Sequence, residues 1–153
     1  MIVWLVFFGL VFAAASSGAL FTPGAWYDDM KKPWWNPPNW AFPVVWSILY
    51  IMIAIAGGMI WKAEGFGLAM TFWGAQLVLN ALWSALFFGM RRMDLAFYEV
   101  CFLWLSILGF IVTAWPVSQT TALLFVPYLA WVTTAATLNW TVWSLNPKVA
   151  AGS

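Results

Sequence analysis

WYDDMKKPWWNPPNWAFPVVW, residues 26–46, is a polar interruption in an otherwise apolar chain, and it holds five tryptophans and four prolines. Each proline fixes φ and removes a backbone donor, so together they impose a defined path on an extended connection. An indole offers a wide ring and one N–H. That suits a membrane interface, where tryptophan anchors helices at headgroup depth, or the lid of a pocket for a flat ligand. Anchoring a connection this short does not need five indoles, so the stretch reads as a structured lid between two membrane spans.

Composition fixes the solvent. The 153 residues are 65% hydrophobic and 7% charged, with mean hydropathy +0.88, which excludes an ordinary water-soluble domain. The length allows one compact bundle, residues 1–153. A net charge of +1 leaves no footprint for nucleic acid. With no histidine, imidazole ligation and imidazole base catalysis are absent. Cys101 is the single cysteine, too few for a disulfide or a zinc or iron–sulfur site. No metal or obligatory cofactor is expected.

Five segments approach the ~20 residues a bilayer requires, so the expected fold is an all-α membrane protein, a five-transmembrane-helix bundle. The spans are read at about 2–21, 43–62, 67–88, 95–115 and 120–144, with the lid loop at 22–42. Pro43 suits the first turn of the second span, and Asp94 is placed to cap the fourth. Ala13 to Ala19 resembles a signal-peptide cleavage region, but no basic residue precedes the first apolar run, so a retained helix is expected. Lys31, Lys32, Arg91, Arg92 and Lys148 fall on one side and Lys62 on the other. The positive-inside bias therefore places the Trp-rich loop and the C-terminus on the cytoplasmic side.

The third span carries two opposed faces. Gly67, Thr71, Gly74, Val78, Ala81 and Ala85 keep to one side at alternating spacings of four and three. Small residues in that register let backbones approach, which makes Gly67, Thr71, Gly74, Ala81 and Ala85 the expected homodimer interface. Gln76, Asn80, Trp83 and Phe87 follow the same spacing about 200° away. The two amides either bond across helices or meet polar groups of a ligand, because hydrocarbon offers them nothing. In the fifth span Pro127 predicts a kink. Trp131, Ala135 and Asn139 then follow at i, i+4, where a ring above a small residue either packs a neighbour or leaves a slot for a flat group. Asn139 is also placed to bridge backbone groups near the surface. Glu99, five residues after Asp94, is expected near the interface, either serving function or snorkelling or bridging helices.

These residues carry a resemblance over nearly the whole chain. The pieces are Trp26-Tyr27-Asp28, Lys32 to Pro38 with Trp40, and Pro43 to Tyr50 containing Trp46. They continue with Gln76 to Asn80, Phe87-Phe88-Gly89, and Pro127 to Trp131 followed by Ala135, Thr137 and Asn139. In that order and spacing the sequence resembles the tryptophan-rich sensory protein / translocator protein family, also called the peripheral-type benzodiazepine receptor. The resemblance implies a five-helix dimer with a pocket inside each bundle, beneath the first loop. It implies porphyrins (protoporphyrin, haem), sterols and benzodiazepine-type drugs as ligands. By position it implies Tyr27, Trp46, Gln76, Asn80, Trp131 and Ala135 in the pocket, with Trp35 and Trp40 in the lid.

One departure weakens the sterol implication. The family's cholesterol motif asks for Tyr and then Arg or Lys, where this chain has Trp140 and Ser144. The expected function is a receptor or carrier for flat hydrophobic molecules, porphyrin first, in tetrapyrrole-linked signalling or transport. No nucleophile–base pair or paired carboxylate suggests an enzyme. Light- or oxidation-dependent breakdown of bound porphyrin is the alternative, and a membrane scaffold is the bland one. Five spans without a repeat do not match an inverted-repeat carrier.

Overall fold

The computed structural model describes residues 2–20, 30–36, 38, 40–90 and 92–146, with the side chains at 17–20, 84, 88 and 89 left out. The described residues form helices and turns, with no strand among them. In chain order the helices are α1 (Ile2–Leu20), α2 (Ala41–Glu64), α3 (Leu68–Ser84), α4 (Met93–Ala114), α5 (Gln119–Leu124) and α6 (Val126–Leu145). Four helical stretches are long and apolar enough to cross a membrane: Ala41–Glu64, Leu68–Phe87, Met93–Ala114 and Gln119–Leu145. The apolar part of α1, Ile2–Ser16 among the described residues, is shorter.

Helix ends differ from the expected ones for local reasons. α2 starts at Ala41, so Pro43 is its third residue and still within the turn whose N–H groups have no helical acceptor. α3 stops at Ser84 and passes into a π turn, Ala85–Gly89, closed by Met90 N–H to Ala85 O at 2.7 Å. α4 begins at Met93, with Arg92 rather than Asp94 at the cap. Asp94 sits in the first turn, near the positive end of the helix dipole. There it takes both Nε (2.9 Å) and Nη2 (2.7 Å) of Arg92.

The kink expected at Pro127 is a break at Phe125, two residues earlier. Pro127 has no N–H and its ring excludes a carbonyl one turn back, so the helix ends and restarts at Val126. Ser118 caps the short leading helix through Thr121 N–H at 3.3 Å.

Packing follows glycines and rings. α1 lies on α2 and α3, α3 on α4, and α4 on α6. A Cβ at Gly57 would collide with Trp73 and Phe7, and one at Gly58 with Trp4, so these glycines seat the rings of the neighbouring helices. Gly109 does the same for Phe72. The Trp73 indole donates to Ile53 O at 2.9 Å, fixing α3 against α2.

Candidate functional site

The site is built where large rings span the space between α2 and α6. Trp46 and Tyr50, one turn apart on α2, stack at 5.6 Å. Trp46 meets Tyr128 edge-on at 6.2 Å and Trp131 at 6.4 Å, and Phe42 meets Trp131 at 6.0 Å. Tyr128 is fully buried and also lies edge-on to Phe125. Rings from two helices thus supply one aromatic box.

The amides of α3 form its floor. Tyr50 donates to Asn80 Oδ1 at 3.2 Å, Asn80 Nδ2 donates to the Tyr128 hydroxyl at 2.6 Å, and that hydroxyl donates to Gln76 Oε1 at 2.8 Å. Gln76 Nε2 closes the chain on Trp73 O at 2.7 Å. Both amides are buried and bonded across helices, the first of the two readings their spacing left open. Around the corner, Trp83 donates to Asn139 Oδ1 (3.2 Å), and Asn139 Nδ2 donates to Met93 O (2.8 Å). Asn139 therefore bridges α3, α6 and the start of α4.

Above this floor runs the described part of the first loop. Asn146, just past α6, accepts from Lys31 N–H at 3.0 Å and donates to Lys31 O at 2.8 Å. That two-way bond pins the loop to the far end of α6. Met30 is buried and Trp35 is half-buried against the core, whereas Trp34 is 96% exposed.

The expected site residues separate on these facts. Trp46, Gln76, Asn80 and Trp131 meet in one constellation, and Trp35 sits over the core. Ala135 is buried one turn beyond Trp131. Trp40 stands at the N-cap of α2 with 68% of its surface exposed, so it is not packed against the rings of α2 and α6. Tyr27 lies outside the described residues, as do Arg91 and Lys148. Of the small-residue face, Thr71 is exposed and Gly74 has open space where a Cβ would stand. Gly67 precedes α3, and Ala85 falls in the π turn, so only the middle of that stripe is regular helix.

Glu99 departs from its expected place. It neither snorkels nor bridges: it is 8% exposed, and neither carboxylate oxygen has a partner among the described residues. The buried Trp131 Nε1 is likewise unpartnered. Sequence reasoning also missed Tyr50, Tyr128 and Asn146. The i, i+4 step from Trp46 to Tyr50 and the i, i+3 step from Tyr128 to Trp131 were the available signals.

A separate groove of about 520 Å³ opens on the outer side of α4 and α6, lined by residues that include Phe97, Cys101, Trp104, Thr133, Thr137 and Trp140. Its lining is almost wholly apolar, and none of its residues belongs to the amide floor.

A family model described as the TspO/MBR family matches residues 4–144. The chain belongs to the TspO/MBR family. It is 44% identical over 146 residues to "Protein CrtK" of Rhodobacter capsulatus, covering 93% of this chain and 91% of the relative. It is 41% identical over 143 residues to the "Tryptophan-rich sensory protein" of Cereibacter sphaeroides, covering 94% and 90%. It is 38% identical over 127 residues to the "Translocator protein" of Sus scrofa, covering 79% and 75%. The TspO/MBR match runs through every helix of the aromatic box and its amide floor.

Proposed function

We propose that this TspO/MBR protein is a five-span membrane receptor or carrier. It takes porphyrins and related flat hydrophobic molecules, benzodiazepine-type compounds among them, between α2 and α6 beneath the first loop. The observation that carries this reading is the aromatic box of Trp46, Tyr50, Tyr128 and Trp131 over a hydrogen-bonded amide floor. Ring faces stack on a macrocycle at about 1–3 kcal/mol per contact, by analogy with nucleobase stacking. The unpartnered Trp131 N–H offers a donor to a ligand acceptor. Lys31, exposed at the pinned loop, places a cation at the mouth for propionate groups.

In this reading α1 completes the fifth span, and the first loop and C-terminus face the cytoplasm. The sensory and translocator names of the relatives support a role in tetrapyrrole-linked signalling or transport. Sterol is a weaker ligand, given Trp140 and Ser144.

Titration of purified protein with protoporphyrin IX, read by tryptophan quenching, tests the proposal. Saturable quenching that weakens in Trp46→Ala and Trp131→Ala is expected. Quenching that never saturates, or that ignores both substitutions, would sink it. A second reading, light- or oxidation-dependent breakdown of the bound porphyrin, is favoured by the four oxidisable rings surrounding the same space. Product formed in the dark at substoichiometric protein would raise that reading to catalysis.

A further inference from the structure

The groove between α4 and α6 lies apart from the interior constellation. Midway along its wall the polar side chains are already committed. Trp104 Nε1 donates to Thr133 Oγ1 at 2.9 Å, Thr133 Oγ1 to Leu129 O at 2.8 Å, and Thr137 Oγ1 to Thr133 O at 2.8 Å. What they leave to a visitor is ring, methyl and methylene surface beside the thiol of Cys101, a weak donor. Such a wall suits hydrocarbon and gives a polar group nothing in exchange for its water.

One end of the groove is charged. Asp94, Tyr98, Cys101 and Leu105 follow one another at spacings of four, three and four, so they run along one face of α4. Tyr98, Cys101 and Leu105 are exposed on it. From Asp94 to Leu105 the helix rises about 16 Å, the depth of one leaflet of a ~30 Å hydrocarbon core. Asp94 stands at the boundary of the membrane-length helix Met93–Ala114, paired there with Arg92. Asp94 takes Nε and Nη2 of the guanidinium and leaves Nη1 without a partner among the described residues. The Arg92 side chain is 37% exposed. Rings collect at the same end: Phe97 meets Trp140 at 5.1 Å, and Trp140 meets Trp143 at 5.6 Å. Indoles at a span end sit at headgroup depth.

We propose that this groove is a bound-lipid site, holding an acyl chain of a membrane glycerophospholipid whose phosphodiester is bound by Arg92. The two ends of the site match the two ends of such a molecule. Hydrocarbon lies along Cys101, Leu105 and Ala136, and the anionic phosphate meets the donors of a guanidinium fork, which suits phosphate geometry. Asp94 opposes the phosphate by its charge while holding the fork in place, so it tempers the affinity. The site is independent of the interior ligand reading.

Cys101 is the only thiol in the chain and lines the groove, so it reports occupancy directly. The test follows alkylation of the purified full-length protein by N-ethylmaleimide, read by mass, in a non-ionic detergent. Phosphatidylglycerol is compared with a diacylglycerol of the same chains. Saturable protection of the thiol is expected, reached at about tenfold lower mole fraction of the phospholipid, as for a hydrogen bond to a charged group. Arg92→Gln should bring the phospholipid down to the level of the diacylglycerol. Asp94→Asn removes the opposing charge and should shift phospholipid protection the other way, to a lower mole fraction. A pair that served only to cap α4 would give the same loss from both substitutions, and that outcome overturns the proposal. So does a diacylglycerol that protects as well as the phospholipid, or a thiol that neither lipid protects.

Discussion

Asn80 serves two tyrosines at once, accepting from Tyr50 and donating to Tyr128. Asn80→Leu strands the Tyr50 hydroxyl and leaves that of Tyr128 only its bond to Gln76, so it is expected to lower stability by about 1–3 kcal/mol. Folding and binding then fall together. Trp131→Phe is a cleaner probe, because the indole N–H has no partner to lose. Its thermal midpoint should stay near that of the parent, while ligands with an acceptor weaken by about 0.5–1.5 kcal/mol. A large drop in melting temperature would instead place Trp131 in the packing alone. Ala135→Thr tests the next turn. Thr133, Thr134, Thr137 and Thr141 all bond back to the carbonyl four residues earlier, so a threonine at 135 has a ready acceptor in Trp131 O. Its extra volume, in a site 5% exposed, should weaken bulky ligands by about 1–3 kcal/mol in binding isotherms. Unchanged isotherms for every ligand would remove Ala135 from the wall. The spacing of Gln76 and Asn80 was legible in the sequence. Their tyrosine partners were not, because Tyr128 lies 48 residues from Asn80 and only the fold brings them together. Glu99 was misjudged for a related reason: helical phase gives a face, but not what the facing helices supply.

At the level of elements, hydrophobic length pointed to the four helices that are long and apolar enough to cross a membrane, since lipid demands it of the sequence itself. Their ends were less legible. The π turn after Ser84 and the restart at Val126 depend on which carbonyls find donors, and that is settled by packing. The connection between loop and helix is similar. Asn146 looks like an ordinary polar residue after a span, yet it holds the Lys31 backbone in both directions. Asn146→Ala leaves those two exposed backbone groups to water. The global fold should therefore lose less than about 1 kcal/mol, the usual net worth of such bonds. The loop itself should loosen. The expected signature is faster ligand release and earlier proteolytic cleavage within 30–36, with the thermal midpoint little changed. Release kinetics matching the parent would mean that the pinned segment is not a lid.

For the whole molecule, the unresolved matter is what covers the outer face of α3. Its inner face is spent on the amide floor, Trp73 and Trp83, whereas Thr71 and Val78 are exposed, Val78 by 69%. Open space surrounds the Cβ position of Gly74. A glycine in the middle of a lipid-facing helix costs about 1 kcal/mol against alanine, and its compensation in membranes is close approach of a second backbone. Ala81, two turns on, continues the same small-residue stripe within regular helix. A second copy of the chain is the expected occupant of this face. Gly74→Leu combined with Ala81→Leu tests this face, because a side chain at 74 meets open space in the single bundle. Leucine at 74 also raises helix propensity. The variant should therefore melt at or above the temperature of the parent and still bind protoporphyrin, while sedimentation in detergent shifts it toward monomer. A variant that sediments as the parent does would move the interface off α3.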